Sequence, residues 1–498
     1  MPDVQAIVIG SGFGGAVAAL RLGQAGVETL VLERGRRWTI EDPTRNATFA
    51  TFEKPDGRAA WLASVTKTPG YEGTPIEIYP GVLEVLPGEA LTFLAGAGVG
   101  GGSLVYGGIL LQPPEALFKR VFPSAIDYDE MDTVYYPRVR SVIKTAPIPD
   151  DVLDTDYFAG LRVLRDHALK AGFSYEDDET DGGDHLCKLK MAVDWDVVRE
   201  EIAGTKIPSL IVAEFWYGNN SGAKRTLERD YLKLAEESGA VEIRPLHVVT
   251  EIAEAVKGGY RVSYELIDEA GVVVQRQTLT CEYLFLAAGT LGTCKLLLKA
   301  KAKGKLPRVN ESLGHGFGND GDVFLQRGEL SETTNPHLGS PGCLAVCNYQ
   351  NPRQPCVMMR APLPRFAKDF PAKNAISSFI FTMTPNRGHL SYDATTDALQ
   401  VHFIPEAHDA ARHLAERLNE VNGGRLLSIA SKVTGHQLGG ACMGQVCDVS
   451  GRVARYRKLY VVDGALIPGS TTCVNPALTI AAIAERCMDE ILTEDMKR

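Results

Sequence analysis

The sequence lacks the spacing patterns by which most metal sites are recognised. Its 498 residues contain neither an HxxxH pair nor a CxxC pair, so the sequence predicts no metal site. Ten cysteines are scattered along the chain rather than concentrated in a short secreted scaffold. We expect them to be buried thiols, with Cys442 and Cys447 as the one pair to test for oxidation.

Strong positive charge and long apolar runs are also missing. The net charge of −10 argues against a nucleic-acid partner, which usually requires a basic face. No uninterrupted apolar run reaches about 18–20 residues, so no transmembrane helix is predicted. Because no basic segment, apolar stretch and cleavage site precede the first strand, we expect a cytoplasmic protein, unless a signal was removed before the sequence begins.

The N-terminus has the pattern of a βαβ unit. Val4–Ile9 is a short, β-branched apolar run that predicts a buried parallel strand. Residues 16–26 have helix-forming composition, with small side chains that allow close packing on a sheet, and Thr29–Leu32 supplies a second strand. Strand, glycine turn, helix and strand within about 30 residues make up this unit.

The glycine turn of this unit predicts a dinucleotide site. Gly10, Gly12 and Gly15 fit GxGxxG, in which the glycines allow a tight turn, close approach to a pyrophosphate and close helix packing, in that order. Glu33 ends the second strand, where a carboxylate can accept hydrogen bonds from ribose hydroxyls and would repel the 2′-phosphate of NADP. FAD and NAD share this fingerprint, so the turn does not choose between them.

The rest of the chain favours FAD. Residues 38–93 show no sustained period and predict long excursions over a ligand, whereas 96–108 is the most glycine-dense stretch. Strands are predicted at 241–252, 260–267, 277–286, 375–384, 388–392, 399–404 and 459–462, and a final helix at 476–492. NAD enzymes more often keep their nucleotide domain contiguous, whereas here the nucleotide-type pattern returns at the C-terminus.

Several long blocks, in the right order, resemble one known family. Residues 10–35, 96–108, 216–222, 283–293 and 459–487 are similar to blocks of the glucose–methanol–choline (GMC) oxidoreductases, and within them of the bacterial flavin-dependent cholesterol oxidases of class I. The resemblance implies an α/β (α+β overall) fold with a Rossmann-like FAD-binding domain of ββα-type nucleotide fold. A second, substrate-binding domain would be built on a mostly antiparallel sheet covered by helices.

The resemblance also implies discontinuous domains and non-covalent FAD. The FAD-binding domain would comprise 1–40, 225–315 and 450–498, with loop 96–108 beside the flavin, and the substrate domain 41–224 and 316–449. The cofactor-binding residues would be Gly10, Gly12, Phe13, Gly14, Gly15, Glu33, Arg34, Gly96, Gly98, Gly101, Gly102, Ser103, Tyr106, Gly107, Gly108, Ile109, Val249, Ala288, Gly289, Asp463, Gly464, Asn475 and Pro476. Tyr106 and Ile109 replace the asparagine and methionine common in cholesterol oxidases. Without the family, 96–108 could also be a flexible linker.

His436 and Asn475 are the predicted catalytic pair. A histidine, with a pKa near 6.5, can accept a proton near neutral pH, and residues 436–444 resemble the family's catalytic-histidine segment. Asn475 matches the asparagine that completes the pair. Its side chain could instead cap the following helix, with Pro476 at the first helical position.

The resemblance predicts an oxidoreductase that removes a hydride from a secondary alcohol of a bulky apolar, steroid- or terpenoid-like molecule. The electron acceptor would be oxygen or another compound, and membrane contact would be transient at most. The glutamate that serves isomerisation in cholesterol oxidases is missing from 361–379, where Asp369 is the only acid and is expected to be a solvated loop residue. The alternatives are a same-fold dehydrogenase with a non-oxygen acceptor, modified natural-product chemistry and, remotely, a non-catalytic binding protein.

Overall fold

The computed structural model describes residues 2–66, 73–363, 365, 374–405 and 407–496. The strands are β1 (Val4–Ile9), β2 (Thr29–Leu32), β3 (Leu83–Pro87), β4 (Thr92–Gly96), β5 (Ser174–Tyr175), β6 (His185–Lys188), β7 (Val241–Arg244), β8 (His247–Glu254), β9 (Tyr260–Ile267), β10 (Val273–Leu286), β11 (His315–Phe317), β12 (Asp322–Gly328), β13 (Leu344–Asn348), β14 (Cys356–Arg360), β15 (Ile376–Thr382), β16 (Gly388–Asp393), β17 (Ala398–His402), β18 (Arg425–Ala430), β19 (Val433–Thr434) and β20 (Leu459–Val461).

Eleven α-helices accompany these strands, apart from several short 3-10 and π segments in the described ranges. They are α1 (Phe13–Gln24), α2 (Glu115–Val121), α3 (Tyr128–Glu130), α4 (Tyr136–Ile143), α5 (Asp150–Leu153), α6 (Ala159–Lys170), α7 (Trp195–Ile202), α8 (Lys233–Glu237), α9 (Gly289–Ala302), α10 (Asp409–Asn422) and α11 (Ala477–Glu494). In the described ranges, no helix combines the length and apolarity needed to cross a bilayer.

The first large sheet is the nucleotide-type sheet predicted from the N-terminus. Its order is β7-β2-β1-β10-β9-β8, and β20 also pairs with β10. Strands β7, β2, β1 and β10 are parallel where they adjoin, as are β10 and β20, whereas β9 is antiparallel to both β10 and β8. The helix α1 leaves the carboxyl end of β1, which is where ligands bind in sheets of this kind.

The second large sheet has the order β18-β12-β15-β14-β13-β6-β5 and is antiparallel except for its β5–β6 pair. Helices α6 and α10 pack against it. This architecture confirms the predicted fold class, because a mixed nucleotide-type sheet and a helix-covered antiparallel sheet are both present. The residue boundaries of the two domains stay a prediction.

Most of the predicted elements are found, and the differences have local causes. The strand predicted at 241–252 is two strands, because Leu246 adopts a positive φ of 61° between β7 and β8. The strand predicted from 277 begins at Val273, since the first part of β10 pairs with β9 through exposed residues. The expectation that 38–93 is irregular is wrong at its end, where β3 lies and β4 begins.

Candidate functional site

One cavity of about 1550 Å³ collects most of the predicted site residues. Small-molecule sites usually measure about 300–1,000 Å³, so this cavity has room for more than one drug-sized ligand. Every predicted catalytic or cofactor residue lines it except Gly15, Gly98, Ser103 and Gly108, which lie behind the lining. Arg34 lines it while paired with Glu84 at 2.7 Å, and Val249 lines it from β8.

The three glycines of the turn after β1 have different surroundings. A Cβ atom on Gly14 would lie 1.8 Å from the carbonyl oxygen of Val462, and one on Gly15 would lie 2.1 Å from that of Gly10. A Cβ atom on Gly12 would have no neighbour within 4 Å. Close packing therefore requires Gly14 and Gly15, whereas Gly12 borders open space in the cavity.

Glu33 is buried and orients the turn. Its Oε2 accepts hydrogen bonds from the backbone N–H of Ser11 at 3.0 Å and from the Ser11 hydroxyl at 2.6 Å, and its Oε1 accepts from the N–H of Gly35 at 2.9 Å. A carboxylate offers about four acceptor positions. One acceptor position on Oε1 therefore stays open for a ribose hydroxyl. This is fewer free acceptor positions than the sequence prediction implied.

The glycine-dense stretch 96–108 closes over this turn. A Cβ atom on Gly101 would lie 2.7 Å from the Cα atom of Gly12, so the two backbones are in contact there. The N–H of Gly100 donates to the Ser11 hydroxyl at 3.1 Å. This stretch is therefore not a flexible linker. Buried Lys224 holds its end in place by donating from Nζ to three backbone carbonyls, those of Leu104, Tyr106 and Phe215.

Asn475 does not cap the following helix. Its Nδ2 donates to the carbonyl oxygen of Ile109 at 2.6 Å, and its Oδ1 accepts from the N–H of Leu111 at 3.4 Å. Helix α11 begins at Ala477, and Pro476, which precedes it, already has helical backbone angles and makes no side-chain cap. An amide nitrogen carries two N–H groups, which leaves one Asn475 donor for a ligand.

His436 is held by a carboxylate that sequence reasoning missed. Its Nδ1 lies 2.8 Å and 3.0 Å from the two oxygens of Asp322, and the hydroxyl of Thr434 donates to the same carboxylate at 2.7 Å. An ionised carboxylate only accepts, so Nδ1 carries the proton and Nε2 is the nitrogen available to a ligand. Burial lowers the pKa of His436, but the charges of Asp322 and Asp320 and the hydrogen bond outweigh it and raise the pKa overall.

One tight turn, residues 319–322, positions both members of the predicted pair. Asp322 contacts His436, while buried Asp320 accepts from the N–H of Thr471 at 2.6 Å and from its hydroxyl at 2.8 Å. Thr471 lies in the loop that leads to Asn475. Burial raises the pKa of Asp320 to about 7. In the sequence, Asp320 and Asp322 are visible only as two acids at the start of a strand. Their partners lie more than 100 residues away, so spacing along the chain does not connect them.

The wall beside His436 is apolar and aromatic. Phe324 on β12 and Phe379 on β15 pack edge to face with ring centroids 5.6 Å apart, and the Phe381 ring lies 5.4 Å from that of His436. All three phenylalanines line the cavity, together with Trp216. This end of the cavity therefore suits an apolar molecule, with His436 as the polar group among these rings.

Comparison with known proteins finds similarity to one family of oxidoreductases. A family profile described as GMC oxidoreductase matches residues 386–484. A cholesterol oxidase of Mycobacterium tuberculosis is 27% identical and aligns over 97% of this chain and 90% of its own length, and one of Acinetobacter baumannii is 26% identical over 98% and 94%. An FAD-dependent oxidoreductase of Chaetomium thermophilum shares the fold, with a TM-score of 0.69 at 15% identity and full coverage of both chains.

The C-terminal part of the chain thus matches the GMC oxidoreductase family, and nearly its whole length is similar to cholesterol oxidases. These similarities support a GMC-type, FAD-dependent oxidoreductase of the class that acts on CH–OH donors.

The residues that line the cavity fit FAD. The first turn of α1 contains no acidic residue, and its N-cap, Gly12, makes no side-chain cap, so free N–H groups and the positive end of the helix dipole face the cavity. Gly12 leaves space for phosphate oxygens, and Glu33 keeps an acceptor for a ribose hydroxyl. The contact of each predicted residue with FAD stays a prediction, and Asp369 lies outside the described residues.

Proposed function

We propose that this GMC oxidoreductase oxidises a secondary alcohol of a bulky apolar, steroid- or terpenoid-like molecule, with His436 as the acid/base and with non-covalently bound FAD. The observation that carries the proposal is the contact of His436 Nδ1 with Asp322, which leaves Nε2 to a substrate in an apolar part of the cavity. The similarity to cholesterol oxidases supports the apolar alcohol.

In the proposed reaction, His436 accepts the hydroxyl proton of the alcohol at Nε2. Bound FAD would supply the hydride acceptor, so the carbinol carbon would lose a hydride, that is two electrons and a proton, as the ketone forms. Asp322 keeps the Nδ1 proton in place and balances the positive charge that develops on the imidazole ring. The second N–H of Asn475 Nδ2 can donate to the substrate oxygen, because Ile109 occupies only the first.

We expect the apolar wall to select the substrate, because its side chains form no hydrogen bonds with hydroxyl groups. Phe324, Phe379 and Phe381 offer no hydrogen bonds, so a polyhydroxylated molecule would leave its hydroxyl groups without partners there. A large apolar skeleton with one hydroxyl group loses nothing by contact with these rings and gains the free energy of burial. We propose oxygen or another small acceptor as the oxidant of the reduced cofactor.

Anaerobic mixing with a panel of sterols, terpenoid alcohols and sugars tests this function. The flavin absorbance of wild-type protein should bleach with apolar secondary alcohols and persist with sugars. His436→Ala should slow this reduction by roughly 10²–10⁴-fold, the usual effect of removing a general base. His389→Ala is the matched control, since His389 is exposed and does not line the cavity.

Two outcomes would contradict the proposal. Reduction of His436→Ala at the wild-type rate would remove His436 from the chemistry, and a flavin that no alcohol of the panel reduces would favour a non-catalytic protein. Under air, one hydrogen peroxide per product marks an oxidase. Product without peroxide, formed only with an added dye or quinone, marks a dehydrogenase.

A further inference from the structure

A histidine and two cysteines come together inside the second large sheet, away from the cofactor cavity. A ring nitrogen of His185 and the sulfur atoms of Cys187 and Cys347 all lie within 4.8 Å of one another. His185 is 1% exposed, and both cysteines are fully buried. The mechanism proposed above uses none of these residues.

The strand register explains the cluster. His185 and Cys187 are two residues apart on β6, so their side chains share one face of the sheet. On the neighbouring strand β13, Cys347 lies directly opposite His185 and therefore points to the same face, while Cys187 lies opposite Ala345. These ligands are joined across two strands, which is why spacing along the sequence could not reveal them.

His185 makes a hydrogen bond of the kind that metal-ligating histidines commonly make. Its Nδ1 lies 3.0 Å from the carbonyl oxygen of Gly183 and donates to it, which leaves the lone pair of the neutral ring on Nε2. Ligating histidines commonly donate their second ring N–H to a backbone carbonyl in this way. Nε2 is buried and lies beside the Cys187 thiol, whose proton a bound cation would replace.

A disulfide does not account for the two cysteines. Cys187 and Cys347 are diagonal neighbours in the β6–β13 pair, and such positions lie about 7–8 Å apart. That separation exceeds the reach of a disulfide without backbone movement.

We propose that His185 Nε2, Cys187 Sγ and Cys347 Sγ bind one Zn²⁺ ion as a structural site. Two thiolates and one imidazole match the ligand chemistry of zinc. Binding exchanges two thiol protons for the dipositive ion, so two protons are released. The Tyr349 hydroxyl, also buried, lies beside Cys347 and offers an oxygen for the fourth position.

The site would support the loop that carries Asn475. Tyr349 directly follows β13, and its hydroxyl group is affected electrostatically by Cys347, Cys187 and Cys473, so these groups are close together. Cys473 lies in the loop that leads to Asn475 and is fully buried. An ion bound at the cluster would therefore make the part of the second large sheet next to this loop more rigid. Since the cluster is closed to solvent, zinc would enter while the sheet forms.

Metal analysis of the purified full-length protein tests the proposal. Protein from zinc-supplemented medium, freed of loose ions by gel filtration, should contain about one Zn²⁺ per chain, the stoichiometry of a mononuclear site. Copper is measured in the same sample, because Cu⁺ prefers the same soft ligands. FAD content is measured independently, so the result does not depend on activity or on the proposed reaction.

The variants Cys187→Ser and His185→Gln should lower the metal content by about 10-fold or more, since loss of one of three protein ligands weakens binding at least as much as loss of an outer partner. Cys356→Ser is the matched control, because Cys356 is equally buried, lies in the same sheet on β14, and is not part of the cluster. It should retain the wild-type content.

Wild-type protein that contains neither zinc nor copper overturns the proposal, and so does a stoichiometric metal that both cluster variants retain. One copper per chain in place of zinc would overturn the assignment of the ion. If the cluster variants fail to fold, the wild-type stoichiometry decides by itself.

Discussion

Replacing Gly12 with alanine should separate cofactor binding from folding. The Gly12 backbone, with φ −70° and ψ −167°, is one that alanine adopts without strain, and the new methyl group would meet no atom within 4 Å. Under these conditions a glycine-to-alanine change stabilises a protein by about 0.4–1 kcal/mol through the unfolded chain. The apoprotein should therefore be at least as stable as wild type, although the methyl group occupies the space left for the pyrophosphate.

Gly14→Ala should behave in the opposite way. Its methyl group would lie 1.8 Å from the carbonyl oxygen of Val462, so β20 or α1 must move. Overpacking of this kind costs about 1–3 kcal/mol or more. Gly182→Ala is the neutral control, because Gly182 is exposed, its methyl group would also meet nothing within 4 Å, and it does not line the cavity.

The assay is urea unfolding of each protein with and without FAD. At a hundredfold excess over its dissociation constant, FAD should add about 2.7 kcal/mol to the wild type and to Gly182→Ala. For Gly12→Ala this increment should vanish while the apoprotein stays intact. Wild-type FAD affinity in Gly12→Ala, or an apoprotein less stable than wild type, would refute the placement of the pyrophosphate at Gly12.

Two further substitutions test the turn at 319–322. Asp322→Asn removes the charge that raises the pKa of His436. Since oxidation needs the neutral imidazole, the acidic limb of kcat/KM against pH should move to lower pH, and the maximum should fall. An acidic limb that does not move would contradict the contact between Asp322 and His436. The pKa of Asp320 in the fold, about 7 against its usual 3.8, corresponds to about 4 kcal/mol of stability that is present below pH 4 and lost as pH rises through 7. Asp320→Asn should abolish most of this decline in the free energy of unfolding, and an unchanged decline would assign it to other groups.

Local patterns predicted the centre of the nucleotide-type sheet well. The bounds of β1, β2 and β9 agree with the sequence prediction, since β1 and β2 are buried apolar runs bounded by turns and β9 alternates between buried and more exposed residues. The β3–β4 hairpin was missed because its strands are short and only partly buried, and because Pro87 and Gly88 interrupt the alternation between them.

Only the site residues that lie in the blocks resembling the known family could be predicted from the sequence. His436 and Asn475 line the same cavity as predicted, but Asp322 contacts His436 from a position 114 residues away, and no local pattern connects them. The same limit applies to His185 and Cys347, which become neighbours through the register of β6 and β13. Pairing between distant strands is a property of the whole fold, so composition and spacing do not encode it visibly.

The order in which the nucleotide-type sheet is assembled has a consequence during synthesis. Strand β1 obtains its neighbour β2 at once, but its other neighbour is the part of β10 that ends at Leu286, and β20 follows only at Leu459–Val461. A ribosome adding about 5–20 residues per second needs roughly 20–90 s to travel from β1 to β20. For part of that time an apolar strand edge of the nascent chain is open to pairing with other chains. The βαβ unit at the start of the chain is thus among the last parts of the molecule to be completed.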